Sequence, residues 1–360
     1  MNASDASTME ALWSPTTLGS IHLAHRVAMA PMTRSRATGD GIVTQLTRTY
    51  YAQRASLSML ITEGTQPSAD GQGYLATPGI HTGEQADAWR TVADAVHDAG
   101  STLVVQLMHV GRVSHPSNTP HGRQALAPSA IAAAGDMFTA SGPQAMPVPR
   151  KMTRADVAQT ISDFRRAARL AVDAGADGVE LHGANGYLLQ QFLSTNANLR
   201  TDEYGGDIAG RIRFPIEVAA AVADEIGADR VGFRISPGSP LGDIEETDAA
   251  ELYPALVAGL APLRLAYLHV VHLGDDGLLR SLRDGWPTGL VLNRAGADME
   301  RRAQDVRDGL ADVVSVGQLA LANPDLIDRI VAGAPMNSPD RGTLYGGDER
   351  GYTDYPRLAA

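Results

Sequence analysis

Cysteine is absent from this sequence. That excludes disulfides, thiolate zinc sites, iron–sulfur clusters and thiol nucleophiles. Lysine is almost absent: of 30 basic residues only Lys151 is one. A Schiff-base enzyme needs a desolvated lysine in its pocket, and Lys151 stands in the polar stretch "PVPRKMTRAD", ahead of a helical run. No apolar run is long enough to span a bilayer. The opening "MNASDASTMEALW" lacks the basic and apolar parts of a secretory signal. Acidic residues outnumber basic ones 41 to 30, for a net charge of −11, which repels nucleic acid and anionic membranes. A cytoplasmic protein with neither nucleic-acid nor membrane partners is expected. Monomer and homodimer both stay open.

What is present is a steady alternation. Short apolar runs lie at 26–32, 58–64, 102–109, 177–183, 230–236, 266–272, 289–293 and 312–317. They are near-continuous in Val, Ile and Leu, as parallel strands covered on both faces require. Amphipathic stretches lie between them, at 84–100, 153–175, 213–227 and 324–333 among others, with Thr153 as an N-cap and glycines at several C-termini. Eight such units predict an α/β fold, a single TIM (β/α)8 barrel over residues 1–360. A doubly wound open sheet is the alternative. Residues 110–152, rich in Pro, Gly, Ser and Ala, are too long for a plain connection. After the third strand they would form a lid or hairpin insertion over the barrel mouth. The first 25 residues predict a hairpin, around "LGSIHL", capping the other end.

In such a barrel the active site lies at the C-terminal strand ends. There the sequence has "APMTR", "TEGT", "QLMHVGR", "HGANGY", "RISP", "NRAG" and "GQ". Neutral donors dominate, and no carboxylate cluster with metal-ligand spacing occurs. This suits an organic cofactor better than a metal, so no metal site is expected.

The segments "HRVAMAPMTRSRA", "DGQGYLATPGI", "QLMHVGR", "GVELHGANGYLLQQFLSTNANLRTDEYGG", "GFRISP", "LANPDL" and "GYTDYP" run in order over most of the chain. Together they resemble the old yellow enzyme family of FMN-dependent, NAD(P)H-driven ene-reductases. The resemblance implies tightly bound FMN, with NADPH or NADH as reductant and an electron-poor alkene (enone, maleimide or nitroalkene) as substrate, by ping-pong hydride transfer. Thr33 would hydrogen-bond the flavin C4 carbonyl, Gln106 its pyrimidine edge, and Arg234 the N1–C2 region, where negative charge builds on reduction. Backbone groups of Pro31, Met32 and Gly64 would complete those contacts. His182 and Asn185 would donate to the substrate oxygen as an oxyanion hole, and Tyr187 would protonate the α-carbon. Tyr74, Met108, Tyr345 and Tyr352 would wall the substrate pocket, Met108 standing where some relatives have Trp.

One departure stands out. The family holds the FMN phosphate with a Gly-rich loop after strand seven and the Arg of a "GR" pair after strand eight. Here that Arg is Gln318, while Arg294 occupies the neighbouring loop. Arg294 is expected to replace the missing guanidinium, with Gly296 and Gly317 as backbone donors; otherwise it is a solvated loop residue. Two further readings stay open. One is a flavin-free barrel aldolase or isomerase, which would need a pocket lysine or paired carboxylates. The other is a flavin-binding protein without turnover.

Overall fold

The structure is a computed structural model that describes residues 9–358. Residues 1–8 and 359–360 of the expected domain lie outside the described residues. The strands in chain order are β1 (Thr16–Leu18), β2 (Ile21–Leu23), β3 (Val27–Met29), β4 (Met59–Ile61), β5 (Thr102–Leu107), β6 (Leu126–Ala127), β7 (Asp136–Thr139), β8 (Gly142–Ala145), β9 (Arg150–Lys151), β10 (Gly178–Gly183), β11 (Val231–Ile235), β12 (Tyr267–His272), β13 (Gly289–Arg294) and β14 (Val313–Val316). Eight of them, β3–β5 and β10–β14, form a closed parallel barrel, with β14 returning to β3. Each lies within a predicted apolar run or, for β13, one residue past it. The open-sheet alternative is excluded.

Alternation along the strands builds the barrel interior in layers. The lower layer is apolar: Ala28, Met59, Ile61, Val104, Tyr267, Val291 and Val313 form one cluster. Two residues further on, at the same inward phase, the layer turns polar, with Gln106, His269, Asn293 and Ser315 following Val104, Tyr267, Val291 and Val313. The outward positions, among them Leu103, Val105, Leu181, Phe233, Leu268 and Leu290, pack under the helices in the main core. Gly232 leaves room inside the barrel, because a Cβ there would sit 2.1 Å from the Tyr267 ring.

Local chemistry places the helices. Thr82 and Gln85 form a capping box at the helix Gly83–Asp98, and Thr153 and Asp156 form one at Arg154–Asp173. The helix expected at 213–227 starts earlier, at Ile208, because Asp207 caps it by accepting from Gly210 N–H at 2.9 Å. Pro215 therefore lies inside this helix, where proline ordinarily marks a start.

β1 and β2 form the predicted hairpin at the N-terminal end of the barrel. Leu18, Ile21 and Leu23 close the lower layer, and Ser20 N–H bonds to the Asp229 carbonyl at 2.9 Å. The insertion at 110–152 holds the antiparallel pair β7–β8 and the short parallel pair β6–β9. Its Val113, Ala133, Met137 and Met146 pack against Tyr74 and Tyr187, so the insertion covers the mouth.

The tip of the lower hairpin supplies a stability test. Gly19 has φ +59°, and a Cβ there would sit 2.2 Å from the Asp229 carbonyl oxygen. Gly19→Ala therefore meets both backbone strain and a clash that no side-chain motion relieves. It should destabilise the fold by about 2 kcal/mol in denaturant melts. Gly39→Ala, with no atom within 4 Å of its added methyl, should leave the midpoint unchanged.

Candidate active site at the barrel mouth

Above the apolar layer lies a buried carboxylate. Glu180 on β10 is wholly excluded from water. Its Oε1 accepts from Gln106 Nε2 at 2.8 Å, and its Oε2 meets Tyr267 Oη at 3.1 Å and His269 Nδ1 at 2.8 Å. Burial opposes its ionisation, but His269, Arg234 and the surrounding donors outweigh it and hold the carboxyl below its ordinary value. His269 continues the network to Ser315 at 2.9 Å, and Asn293 reaches the same hydroxyl at 3.0 Å. Because the Gln106 amide nitrogen is tied down to Glu180, its oxygen is the end left for the cavity above.

That cavity, about 460 Å³, is lined by Pro31, Met32, Thr33, Gln106, Met108, His182, Asn185, Tyr187, Arg234, Gln318 and Tyr345, with Leu321, Pro339, Arg341 and Leu344 added by the segments after β14. Arg234 is buried, its Nε has no hydrogen-bond partner, and it makes no ion pair among the described residues. The nearby Glu180 carboxylate offsets part of its charge without touching it; a buried cation with no direct partner is costly, and here it lines the open cavity.

The turn after β10 explains the "HGANGYLLQQ" stretch. Asn185 sits in the left-handed region at φ +56°, a conformation that asparagine tolerates better than most residues. Its N–H donates to Ser236 Oγ at 2.9 Å. Gln190 Oε1 accepts from Gly186 N–H at 2.8 Å, and Gln191 Nε2 donates to the Gly186 carbonyl at 2.7 Å. Both glutamines are fully buried. The turn is thus held by side chains on the helix that follows it, so Asn185 and Tyr187 present fixed positions.

The ionisation states follow from burial. His182 Nδ1 accepts from Ala184 N–H at 3.3 Å, which places the proton of the neutral ring on Nε2. Burial, then the charges of Arg234 and His269, push its pKa well below the usual histidine value, so it is a neutral donor. Tyr187 stands edge-on to the His182 ring, 4.9 Å between centroids, and its hydroxyl lies 3.1 Å from that of Tyr74. Burial, then Tyr74, push the Tyr187 phenol well above its ordinary value.

A second cavity of about 1050 Å³ adjoins the first across Pro31, Met32, Arg234, Gln318 and Pro339. Gly296 and Gly317 line it, and so does Arg302. Arg294 does not. Its guanidinium is held by Asp305 at 2.8 and 3.0 Å and by Asp276 at 3.1 Å, so the expectation that it replaces the missing phosphate ligand is corrected.

Three other expectations change. Tyr352 lines neither cavity. It is fully buried and stacked on Tyr50 at 4.2 Å, with the Arg34 and Arg36 guanidinium carbons 5.0 and 4.5 Å from its ring centre. It anchors the C-terminal segment, whose Leu344 and Gly351 carbonyls Arg34 also holds. Tyr74 stands behind Tyr187 rather than on the cavity wall. Gly64 also lies off both cavities, and a Cβ there would be 2.4 Å from Met108 Sδ; its smallness gives Met108 its place. Lys151 is exposed on β9, outside both cavities. Among the described residues no group of three or more His, Asp or Glu could hold a metal ion.

The sequence pattern of the NADH:flavin oxidoreductase / NADH oxidase family matches residues 11–337. A probable flavin mononucleotide-dependent alkene reductase of Leishmania infantum is 40% identical over 360 residues, 98% of each chain. The structure of morphinone reductase in complex with tetrahydroNAD superposes with a TM-score of 0.93 at 41% identity, covering 97% of this chain and 98% of that one. An old yellow enzyme homologue from Zymomonas mobilis gives 0.93 at 34% identity, over 96% and 99%. With the barrel, the mouth residues and these likenesses together, the chain belongs to the NADH:flavin oxidoreductase / NADH oxidase family, the old yellow enzyme family.

Proposed function

We infer that the protein is an FMN-dependent ene-reductase that uses a reduced nicotinamide to saturate electron-poor alkenes. One observation carries the reading: the neutral His182, Asn185 and the protonated Tyr187 border the same cavity as the unpaired cation Arg234. The residues fit a flavin. Arg234, with its orphaned Nε, can compensate negative charge at a pyrimidine edge, and Gln106 and Thr33 offer it neutral hydrogen bonds. A likeness to an alkene reductase and to an enzyme seen with tetrahydroNAD supports the substrate class and the reductant. A cytoplasmic setting is part of the proposal. The aldolase alternative loses its support, since Lys151 is exposed and outside the cavities.

Bound FMN, reduced by NADH or NADPH, supplies the hydride that adds to the β-carbon of the alkene. His182 Nε2–H and the Asn185 amide hold the activating oxygen of the substrate. Negative charge develops there as the β-carbon is reduced, and two fixed donors in a site of low dielectric stabilise it more than the ground state. A neutral imidazole suffices and keeps its orientation through Ala184 N–H. Tyr187 holds the proton for the α-carbon, and the Tyr74 hydroxyl fixes its phenol. Met108, unbranched and polarizable, gives a pliable wall that tolerates substrates of different shape.

Purified protein should be yellow, bleach anaerobically with NADPH or NADH, and recover its colour with 2-cyclohexenone as the saturated ketone forms. Colourless protein, or colour that never bleaches, would sink the reading. Tyr187→Phe should slow the alkene half-reaction about 10²- to 10⁴-fold, as loss of a general acid does, while bleaching by the nicotinamide is little changed; stopped-flow absorbance separates the two. The pH dependence has a definite sign. A raised phenol pKa keeps the donor form populated as pH rises, so Tyr187 causes no alkaline loss below its ordinary pKa of 10.0. The wild-type to Tyr187→Phe rate ratio should stay constant from about pH 6.5 to 9.5, and an alkaline fall in that range would contradict the assignment.

A further inference from the structure

The helix Met299–Arg307 follows β13 and carries adjacent arginines at 301 and 302. They have different fates. Arg301 is partly exposed and pairs with Asp305 at 2.9 Å. Arg302 is turned inward, with only 5% of its surface exposed. Its Nη1 donates to the Ser315 carbonyl at 3.1 Å and its Nη2 to the Arg294 carbonyl at 2.6 Å. Its Nε is buried without a partner. It has no carboxylate within ion-pair distance among the described residues, because Asp305 is occupied by Arg294 and Arg301. Carbonyl oxygens orient a guanidinium but do not neutralise it, and a buried charge without a counter-charge is costly. Burial pushes its proton affinity down; Asp305 opposes that, neighbouring Arg294 adds to it, and Asp298 opposes it more weakly, and burial prevails. The one open direction is the larger cavity, which Arg302 lines with Gly296, Gly317 and Gln318. Asp298 and Glu300 also border that space, but both are exposed to water, and the Asp298 carboxylate accepts from Arg301 N–H at 2.8 Å.

We propose that Arg302 binds the phosphate of FMN, supplying from the helix after β13 the guanidinium that Gln318 lacks. Arg294 is then a positioning residue. Asp305 and Asp276 clamp its side chain, and its carbonyl steadies Arg302. Arg234 and Arg302 both line the larger cavity, so the ligand meets one unpaired cation at its ring system and another at its phosphate. This rests on the flavin reading above and adds which residue holds the charged end.

The test compares FMN with riboflavin, which lacks the phosphate. Full-length protein loaded with either is diluted, and release is read as recovered flavin fluorescence. Arg302→Met, similar in length but uncharged, should weaken FMN by about 10- to 100-fold, the range for one charge-assisted bond, and leave riboflavin within about twofold. Adding Gln318→Arg to that variant should restore much of the FMN affinity, which a purely structural role for Arg302 would not allow. Equal weakening of both flavins, or no weakening of FMN, overturns the proposal. Should Arg302→Met fail to fold, Arg302→Lys, whose point-like ammonium lacks the planar fork that lets a guanidinium serve carbonyls and a phosphate together, must still weaken FMN more than riboflavin; equal effects overturn the assignment. A wild-type protein that retains neither flavin refutes the parent reading instead.

Discussion

The structure turns on how charge is compensated out of reach of water. Glu180 lies at the centre of the barrel, and its two oxygens are shared among Gln106, Tyr267 and His269. Those partners stand on β5 and β12, and His269 extends the links to Ser315 on β14. One carboxylate therefore ties together strands on several sides of the barrel. Removing one partner of such a buried charge typically costs 3–5 kcal/mol, so the network fixes the polar layer on which the mouth is built. It also sets the Gln106 amide, with its nitrogen towards Glu180 and its oxygen left for the cavity.

The chemistry above that layer is the same electrostatics left incomplete. Arg234 lies near enough to Glu180 to be felt by it but is not paired with it. Its charge raises the cost of protonating His182, which remains a neutral donor. Burial keeps the proton on Tyr187. Two donors and an acid are thereby held in fixed protonation states beside a cation that has no direct ion-pair partner. The arrangement is poised for a ligand on which negative charge develops.

Two outlying segments complete the mouth. The insertion packs Met137 and Met146 near Tyr187. The C-terminal segment is bound by backbone carbonyls to Arg34 and Arg36, with Tyr352 stacked between those arginines and Tyr50. Arg34 and Arg36 lie within three residues of Thr33, so the stretch that lines the cavity also fastens its cover. The predicted role of Tyr352 at the pocket wall gives way to this anchoring role because an aromatic beside two guanidiniums is drawn into cation–π contact rather than into the cavity.

Much of this was readable without coordinates, for local reasons. Continuous Val, Ile and Leu runs marked the eight barrel strands, since a strand covered on both faces must be apolar on both. Capping residues such as Thr153 marked a helix start, whereas the cap Asp207 ahead of the expected stretch 213–227 went unread. Thr33, Gln106, His182, Asn185, Tyr187 and Arg234 were legible because they sit at strand ends, where the fold class alone points them to the mouth. Gln190 and Gln191, which hold the turn, could be suspected only as polar residues within an apolar helix. The arginines were not legible. Arg294 and Arg302 lie eight residues apart in one polar stretch, "NRAGADMERRAQ", and nothing in their spacing tells which is neutralised by Asp305 and which faces the cavity. Periodicity determined the barrel and which polar residues stand at its rim, and the family resemblance suggested their roles. Which cation was left unpaired was decided by three-dimensional packing, because a long side chain takes its partner from whichever carboxylate the fold brings near.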